Sequence, residues 1–398
     1  MGKVYVTGMG IISALGMGVE QNHKALQNGI SGIGNAAYLD SKYTHQKPFA
    51  GVDFSNQGLT DILQIPSTET LSRTDMFAII AFVEAIENAG LQPAEISNTE
   101  TAFITASTAG GMCHTDELYQ DATNLEESTS PYVNHYSTQA HSRTIADRFN
   151  LKGIISTFNT ACSSSANAIM FGARLIKSGR AQRVIVGGVD SLGKFTVNGF
   201  NSLGILSNNP CKPFDKNRDG LTLGEGAAYL VLESEELAKN KFKLAELSGY
   251  GNANDAFHAS AISEDAVGPT LAMKKALKSA NLSPVSISFI NAHGTGTENN
   301  DRSELKAFQN IFNGFPPFGS TKGFTGHTLG AAGAIEAVYS ILNLLNNEIY
   351  ASLNATDPIE EFNVLPNASF QSATEIKHVM SNSFGFAGNC SSLIFSKA

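Results

Sequence analysis

The sequence predicts an α/β fold built as two similar halves. Ten strand-like runs recur along the chain, five in each half, and helical patterns such as Arg73–Asn88 and Gly268–Ala280 separate many of them. Strands alternating with helices define this class, because a sheet needs apolar helix faces to cover it. In the first half the runs are Val4–Thr7, Thr101–Ala106, Ile154–Phe158, Val184–Gly187 and Ala228–Glu233. In the second they are Lys243–Gly249, Ile287–Asn291, a short Pro317–Ser320, Val379–Ser383 and Ser392–Phe395. Two sets of five suggest a duplicated α/β/α/β/α core, with residues 1–240 as one half and 241–398 as the other. No linker longer than a short loop separates them, so one compact unit is expected.

Composition narrows the classes. The 398 residues are 42% hydrophobic and 16% charged, as in a folded globular chain. A net charge of −9 argues against nucleic-acid binding. The four cysteines, at 113, 162, 211 and 390, show no metal or disulfide spacing, which fits a reducing cytoplasm. No run of 18 apolar residues and no charged-then-apolar leader is present, so neither a membrane span nor a signal peptide is expected. Thr7-Gly8-Met9-Gly10 begins like a dinucleotide-binding fingerprint, but Ser13 stands where its third glycine belongs.

Cys162 lies between the extended run 153–160 and a helix-like run, 163–176. A thiol at a helix's first turn faces unpaired N–H groups and the positive dipole end, so its pKa is expected to fall. Alone, Cys162 reads more readily as a buried core cysteine. Two histidines change the weighing. His293, in Asn291-Ala292-His293-Gly294-Thr295-Gly296-Thr297, and His327, in Gly326-His327-Thr328-Leu329-Gly330-Ala331-Ala332-Gly333, both occupy glycine-rich turns after strand-like runs. Ligands of open α/β sheets gather at such strand ends. Lys322 lies just ahead of the second.

These motifs resemble the β-ketoacyl-acyl-carrier-protein synthases, condensing enzymes of the thiolase-like fold. The likeness runs from Val4-Tyr5-Val6-Thr7-Gly8-Met9-Gly10 to Asn382-Ser383-Phe384-Gly385-Phe386-Ala387-Gly388. It implies Cys162 as nucleophile, His293 and His327 as catalytic histidines of the elongating Cys-His-His type, and Lys322 as their supporting lysine. It also implies an oxyanion hole from the N–H groups of Cys162 and Phe386, with Phe386 as a gate. Thr295 and Thr297 match hydroxyls that hold the pantetheine arm, although capping turns is their plainer role. Glu336 supports the site. Asp255 belongs to a loop, 252–258, that resembles the partner of the gate, and His258 reads as a loop residue. Asn291, Glu336, Ser381 and Asn382 match an oxygen-rich site for a structural Na+ or K+. Cys390 is not where thiolases carry their second cysteine.

The implied reaction is decarboxylative condensation of an acyl-Cys162 intermediate with malonyl-acyl-carrier protein, extending the chain by two carbons. No cofactor is required beyond the carrier's phosphopantetheine. The runs 160–165 and 198–204 look most like synthases of bacterial aryl-polyene clusters, which work as heterodimers with a chain-length-factor subunit. The alternatives are a homodimeric fatty-acid elongation synthase and, in another class, a non-catalytic subunit that shapes a partner's pocket. Residues 112–147 are expected to form the dimer interface and acyl pocket, with Met112, Phe195, Phe200 and Ile205 as pocket candidates. Arg73 stands alone where relatives are richer in Lys and Arg, so altered carrier docking is expected there. Ala387 replaces a hinge glycine in the gate loop, which suggests altered gate motion.

Overall fold

The computed structural model describes residues 2–34, 36–115, 133–372 and 375–398. Among the described residues the main sheet has eleven strands, ten of them in line: β1 (Val4–Ser13), β2 (Thr101–Ala106), β3 (Ile155–Phe158), β4 (Arg183–Asp190), β5 (Gly226–Ser234), β6 (Ala245–Asn254), β7 (Phe289–Asn291), β8 (Phe318–Gly319), β9 (His378–Phe384) and β10 (Asn389–Ser396); the eleventh, Gly16–Met17, pairs only with β1. Hydrogen bonding orders the ten β3-β2-β4-β5-β1-β6-β10-β9-β7-β8. Cut between β1 and β6, each half has the order 3-2-4-5-1 counted from its own first strand. The directions repeat as well. β2 runs parallel to β3 and β4, and β7 runs parallel to β8 and β9. The seam is narrow, with Tyr5 opposite Glu246 and Val6 opposite Ala245.

Six helices complete five layers: α1 (Arg73–Asn88), α2 (Ser164–Lys177), α3 (Lys194–Ser202), α4 (Val267–Ala280), α5 (Glu298–Ile311) and α6 (Ala332–Asn346). α2 and α6 pack on each other and on strands of both halves, as the middle layer. α1 covers the outer face of the first half, and α4, backed by α5, covers that of the second. The duplicated layering expected from the sequence is therefore present. Each strand-like run falls on a strand, though β1 runs on to Ser13. Gly8 and Gly10 look like breakers but serve close packing: a Cβ at either would meet the α1 backbone, at Ala85 O (2.4 Å) and Ala81 O (2.2 Å).

The stretch Leu329–Asn346 is on average long and apolar enough to cross a membrane, although Glu336, Ser340, Asn343 and Asn346 interrupt it, so it is not a run of 18 apolar residues. Its position explains it. A helix buried all round in a middle layer must be apolar all round, and 89% of this stretch is buried. Of the stretch 112–147 expected to shape the dimer contact, residues 116–132 lie outside the described residues.

Candidate active site

Cys162 lies past the end of β3, two residues ahead of α2. Ala161 before it has φ 52°, a conformation costly for a residue with a Cβ. Ser164 braces that turn, accepting from Thr160 N–H at 2.8 Å and donating to Ala161 O at 2.5 Å. The backbone N–H dipoles of Phe386 and of Cys162 itself favour a charged sulfur. Sγ and one ring nitrogen each of His293 and His327 lie within 4.8 Å of one another. The two imidazoles meet edge to face, with centroids 5.3 Å apart.

Burial pushes the Cys162 thiol up to about 11, against the pull of the two amides and Lys322. The lowered value expected from the sequence is thus reversed. Cys162 precedes the helix instead of occupying its first turn, and desolvation of a buried thiolate outweighs the donors.

Both histidines are neutral. Burial, with the Lys322 charge next, holds each well below the ordinary histidine range. Nδ1 of His293 lies 3.2 Å from Lys322 Nζ, and Nδ1 of His327 accepts from Leu329 N–H at 3.3 Å. With Nδ1 accepting, the ring proton sits on Nε2. His327 Nε2 is buried with no partner. The pair therefore offers two N–H donors beside Cys162. This spacing would suit a soft metal, but metal-bound histidines donate from the far nitrogen, and here both far nitrogens accept.

Lys322 sits at the centre of the support. Its Nζ donates to His293 O at 2.6 Å and contacts the Glu336 carboxylate. Burial pushes Glu336 up to about 7 even so. The second Glu336 oxygen is unpartnered and buried, as are Asn291 Oδ1, Ser381 Oγ and Ser383 Oγ. Asn291 and Ser381 are paired residues on neighbouring strands, and Asn291 Nδ2 reaches Glu336 O at 3.3 Å. Four orphaned oxygens on adjoining elements fit a monovalent cation. The Asn382 side chain does not join them, because it bonds Glu304 at 3.1 Å and Ser392 at 2.8 Å.

Two cavities meet at Cys162. One, of about 290 Å³, is lined by both histidines, Thr295, Thr297, Asn299 and Ile205. The other, of about 490 Å³, is apolar and lined by Met112, Phe195, Phe200 and Leu329. Phe386 stacks on Phe200 at 5.9 Å and borders both. Thr295 and Thr297 share a hydroxyl contact of 2.9 Å. Asp255 lines neither cavity; its carboxylate accepts from Ser263 N, Ser263 Oγ and Gly268 N, ordering the loop that faces the gate. His258 is exposed. Ala387 takes φ 59°.

Arg73 is buried, and its guanidinium pairs with Glu225 at 2.7 Å and bonds Val52 O and Phe54 O. It binds the fold together and presents no docking charge. Two buried carboxylates were missed from the sequence. Glu304 accepts the N–H groups of His293 and Gly294, both at 2.9 Å, and Asp301 accepts those of Phe214 and Gly296. Their spacing of three on α5 places both on one face, which was a usable signal.

The chain matches the family description beta-ketoacyl synthase, N-terminal domain, over residues 1–238, and beta-ketoacyl synthase, C-terminal domain, over residues 244–356. It is 32% identical to 3-oxoacyl-[acyl-carrier-protein] synthase 2 of Vibrio harveyi, across 99% of this chain and 98% of that one. Among solved structures it resembles the ishigamide ketosynthase/chain length factor, with TM-score 0.92, 29% identity, and 100% and 99% of the two chains covered. It also resembles the Xenorhabdus doucetiae ketosynthase solved with its chain length factor, with TM-score 0.87, 31% identity, and 100% and 98% covered.

Proposed function

This chain belongs to the β-ketoacyl synthase family, and we propose that it is an elongating ketosynthase with Cys162, His293 and His327 as its catalytic residues. The observation that carries this reading is the clustering of the Cys162 thiol, within 4.8 Å, with two imidazoles whose Nδ1 atoms accept and whose Nε2 atoms therefore donate. The half 1–240 supplies the nucleophile, and the half 241–398 supplies both histidines.

Cys162 sulfur attacks the thioester carbon of an acyl-carrier protein. Its proton leaves with the displaced pantetheine thiol, and an acyl-Cys162 thioester remains. The N–H groups of Cys162 and Phe386 hold the oxyanion formed on the way, typically worth ~3 kcal/mol per donor. Malonyl-carrier protein then binds with its thioester oxygen at the two Nε2–H groups. Its carboxylate departs as CO2, and the electron pair left behind forms an enolate stabilised by those donors. The enolate carbon attacks acyl-Cys162, the new C–C bond forms, and the Cys162 thiolate is expelled to regain a proton from solvent. Loss of CO2 replaces a strong base. Lys322 and Glu304 hold His293 in place, Thr295 and Thr297 receive the pantetheine arm, and the Phe386–Phe200 stack gates the apolar acyl cavity.

Asn291, Glu336 and Ser381 would hold a Na+ or K+ ion through the oxygens left unpartnered, and its role would be structural neutralisation. Anomalous scattering from a rubidium soak tests this, and water-like density alone would sink it. The partner is a chain-length-factor-like subunit, as in the two solved complexes above, with a homodimer as the alternative. β3 supports pairing, since it ends the sheet and exposes Ile155. Aryl-polyene synthesis in the cytoplasm is the pathway we favour over fatty-acid elongation.

Intact-mass analysis with a panel of acyl-carrier proteins, followed by malonyl-carrier protein, tests the reading. An adduct on Cys162, consumed by malonyl with release of ketoacyl product, is expected, and Cys162→Ala should abolish it. Condensation by Cys162→Ala would instead favour a pocket-shaping subunit. An adduct seen only when a cysteine-less family member is co-expressed would establish the heterodimer, and a polyenoyl preference would establish the pathway.

A further inference from the structure

Asp190 closes β4 and is fully buried. Its two oxygens receive five neutral donors. Oδ1 accepts from Ser107 Oγ at 2.6 Å and Ala109 N–H at 2.9 Å. Oδ2 accepts from Thr108 Oγ1 at 2.6 Å and Gly330 N–H at 2.7 Å, while Thr108 N–H lies 3.1 and 3.0 Å from the two. A set of five donors calls for an acceptor-only group, the ionised carboxylate. A buried charge held by dipoles alone marks a demanding position.

The donors come from two parts of the site. Thr108 and Ala109 line the apolar cavity beside Cys162. Gly330 follows Leu329, whose N–H fixes Nδ1 of His327. Leu329 has φ 54°, a strained value for a bulky residue, so its turn needs to be held from outside. Gly330 can come this close only without a side chain: a Cβ there would meet Asp190 Oδ2 at 2.8 Å.

We propose that Asp190 is a positioning residue for the condensing step. By gripping Gly330 it holds the Leu329 turn that keeps His327 in its Nε2–H form. The proposal rests on the role assigned to His327 above.

Long-range proton–nitrogen correlation of 15N-histidine-labelled protein reads the tautomer without any turnover. Asp190→Asn keeps the shape but turns one acceptor into a donor. The His327 nitrogens should move from the Nε2–H pattern to a mixture. Malonyl decarboxylation should fall on the order of 10- to 100-fold, with Cys162 acylation within about threefold of the parent. Gly330→Ala strikes the same contact from the other side and should do the same, which covers a failure of Asp190→Asn to fold. A folded variant with the parent's His327 signals overturns the proposal, and so does an equal fall in both partial reactions. Shifted signals in a protein whose parent never condenses would uphold Asp190 as the residue that sets the His327 tautomer and sink the functional reading instead.

Discussion

Lys322 Nζ stands 3.2 Å from Nδ1 of His293 and touches the Glu336 carboxylate on its other side. An ammonium only donates, so Nδ1 accepts and the His293 proton sits on Nε2. Leu329 N–H imposes the same form on His327. The groups behind the rings thus decide what the rings can do, which is to donate to an oxyanion and not to ligate a cation.

Zinc should therefore bind poorly despite ligand-like spacing at Cys162, His293 and His327. Micromolar Zn2+ is expected to leave the iodoacetamide labelling rate of Cys162 unchanged. Lys322→Gln, whose amide oxygen can accept from Nδ1–H, should free Nε2 and let zinc protect the thiol. Strong protection of the parent protein would refute the tautomer assignment.

Cys162 labelling should also report its burial. With the thiol pushed up to about 11, the thiolate fraction grows about tenfold per pH unit below that value. Alkylation should keep rising through pH 8, 9 and 10, as read by intact mass (pH values about these). A plateau below neutrality would mean the amide donors win over desolvation.

Glu304 carries a stability signature. Burial pushes its carboxyl up from 4.5 to about 7, against the N–H donors of Gly294 and His293. A raised acid binds its proton more tightly in the folded chain, so its contribution is complete below about pH 4.5 and is lost as pH rises through about 7. Thermal unfolding of Glu304→Gln should show a flatter decline between those values than the parent. An unchanged slope would place the carboxylate's ordinary titration back in the acid range.

The sequence carried the layers and the chemistry unevenly. The ten strands in line through the main sheet were visible, because buried strands read as apolar runs, and glycines packed under α1 hid the length of β1; the two-residue strands Gly16–Met17, Glu348–Ile349 and Gln371–Ser372 are too short to leave a pattern. Cys162, His293 and His327 were visible because each stands in a motif. Asp190 was not, since its donors come from positions 107–109 and 330, and no local pattern joins them. The burial of Arg73 was not legible, because a lone surface cation and a buried one paired with Glu225 look alike in one dimension.

Ala387 offers a test of strain in the gate loop. Its φ of 59° and ψ of 18° are left-handed, and the loop is held there from three sides. Asn254 Nδ2 donates to Ala387 O at 2.9 Å, Ala387 N–H donates to Ala259 O at 2.7 Å, and Asp255 N–H donates to Gly388 O at 2.8 Å. The loop cannot relax without losing these bonds, so the Cβ strain persists in the folded state. Ala387→Gly removes it, while the greater freedom of glycine in the unfolded chain offsets part of the gain. A net stabilisation of about 1 kcal/mol is expected, seen as a higher urea midpoint with an unchanged slope. Ala256, in the facing loop at φ 51°, should respond in the same direction. A lower midpoint for Ala387→Gly would show that the left-handed backbone costs nothing here, and that the alanine has another reason to stand in place of a glycine.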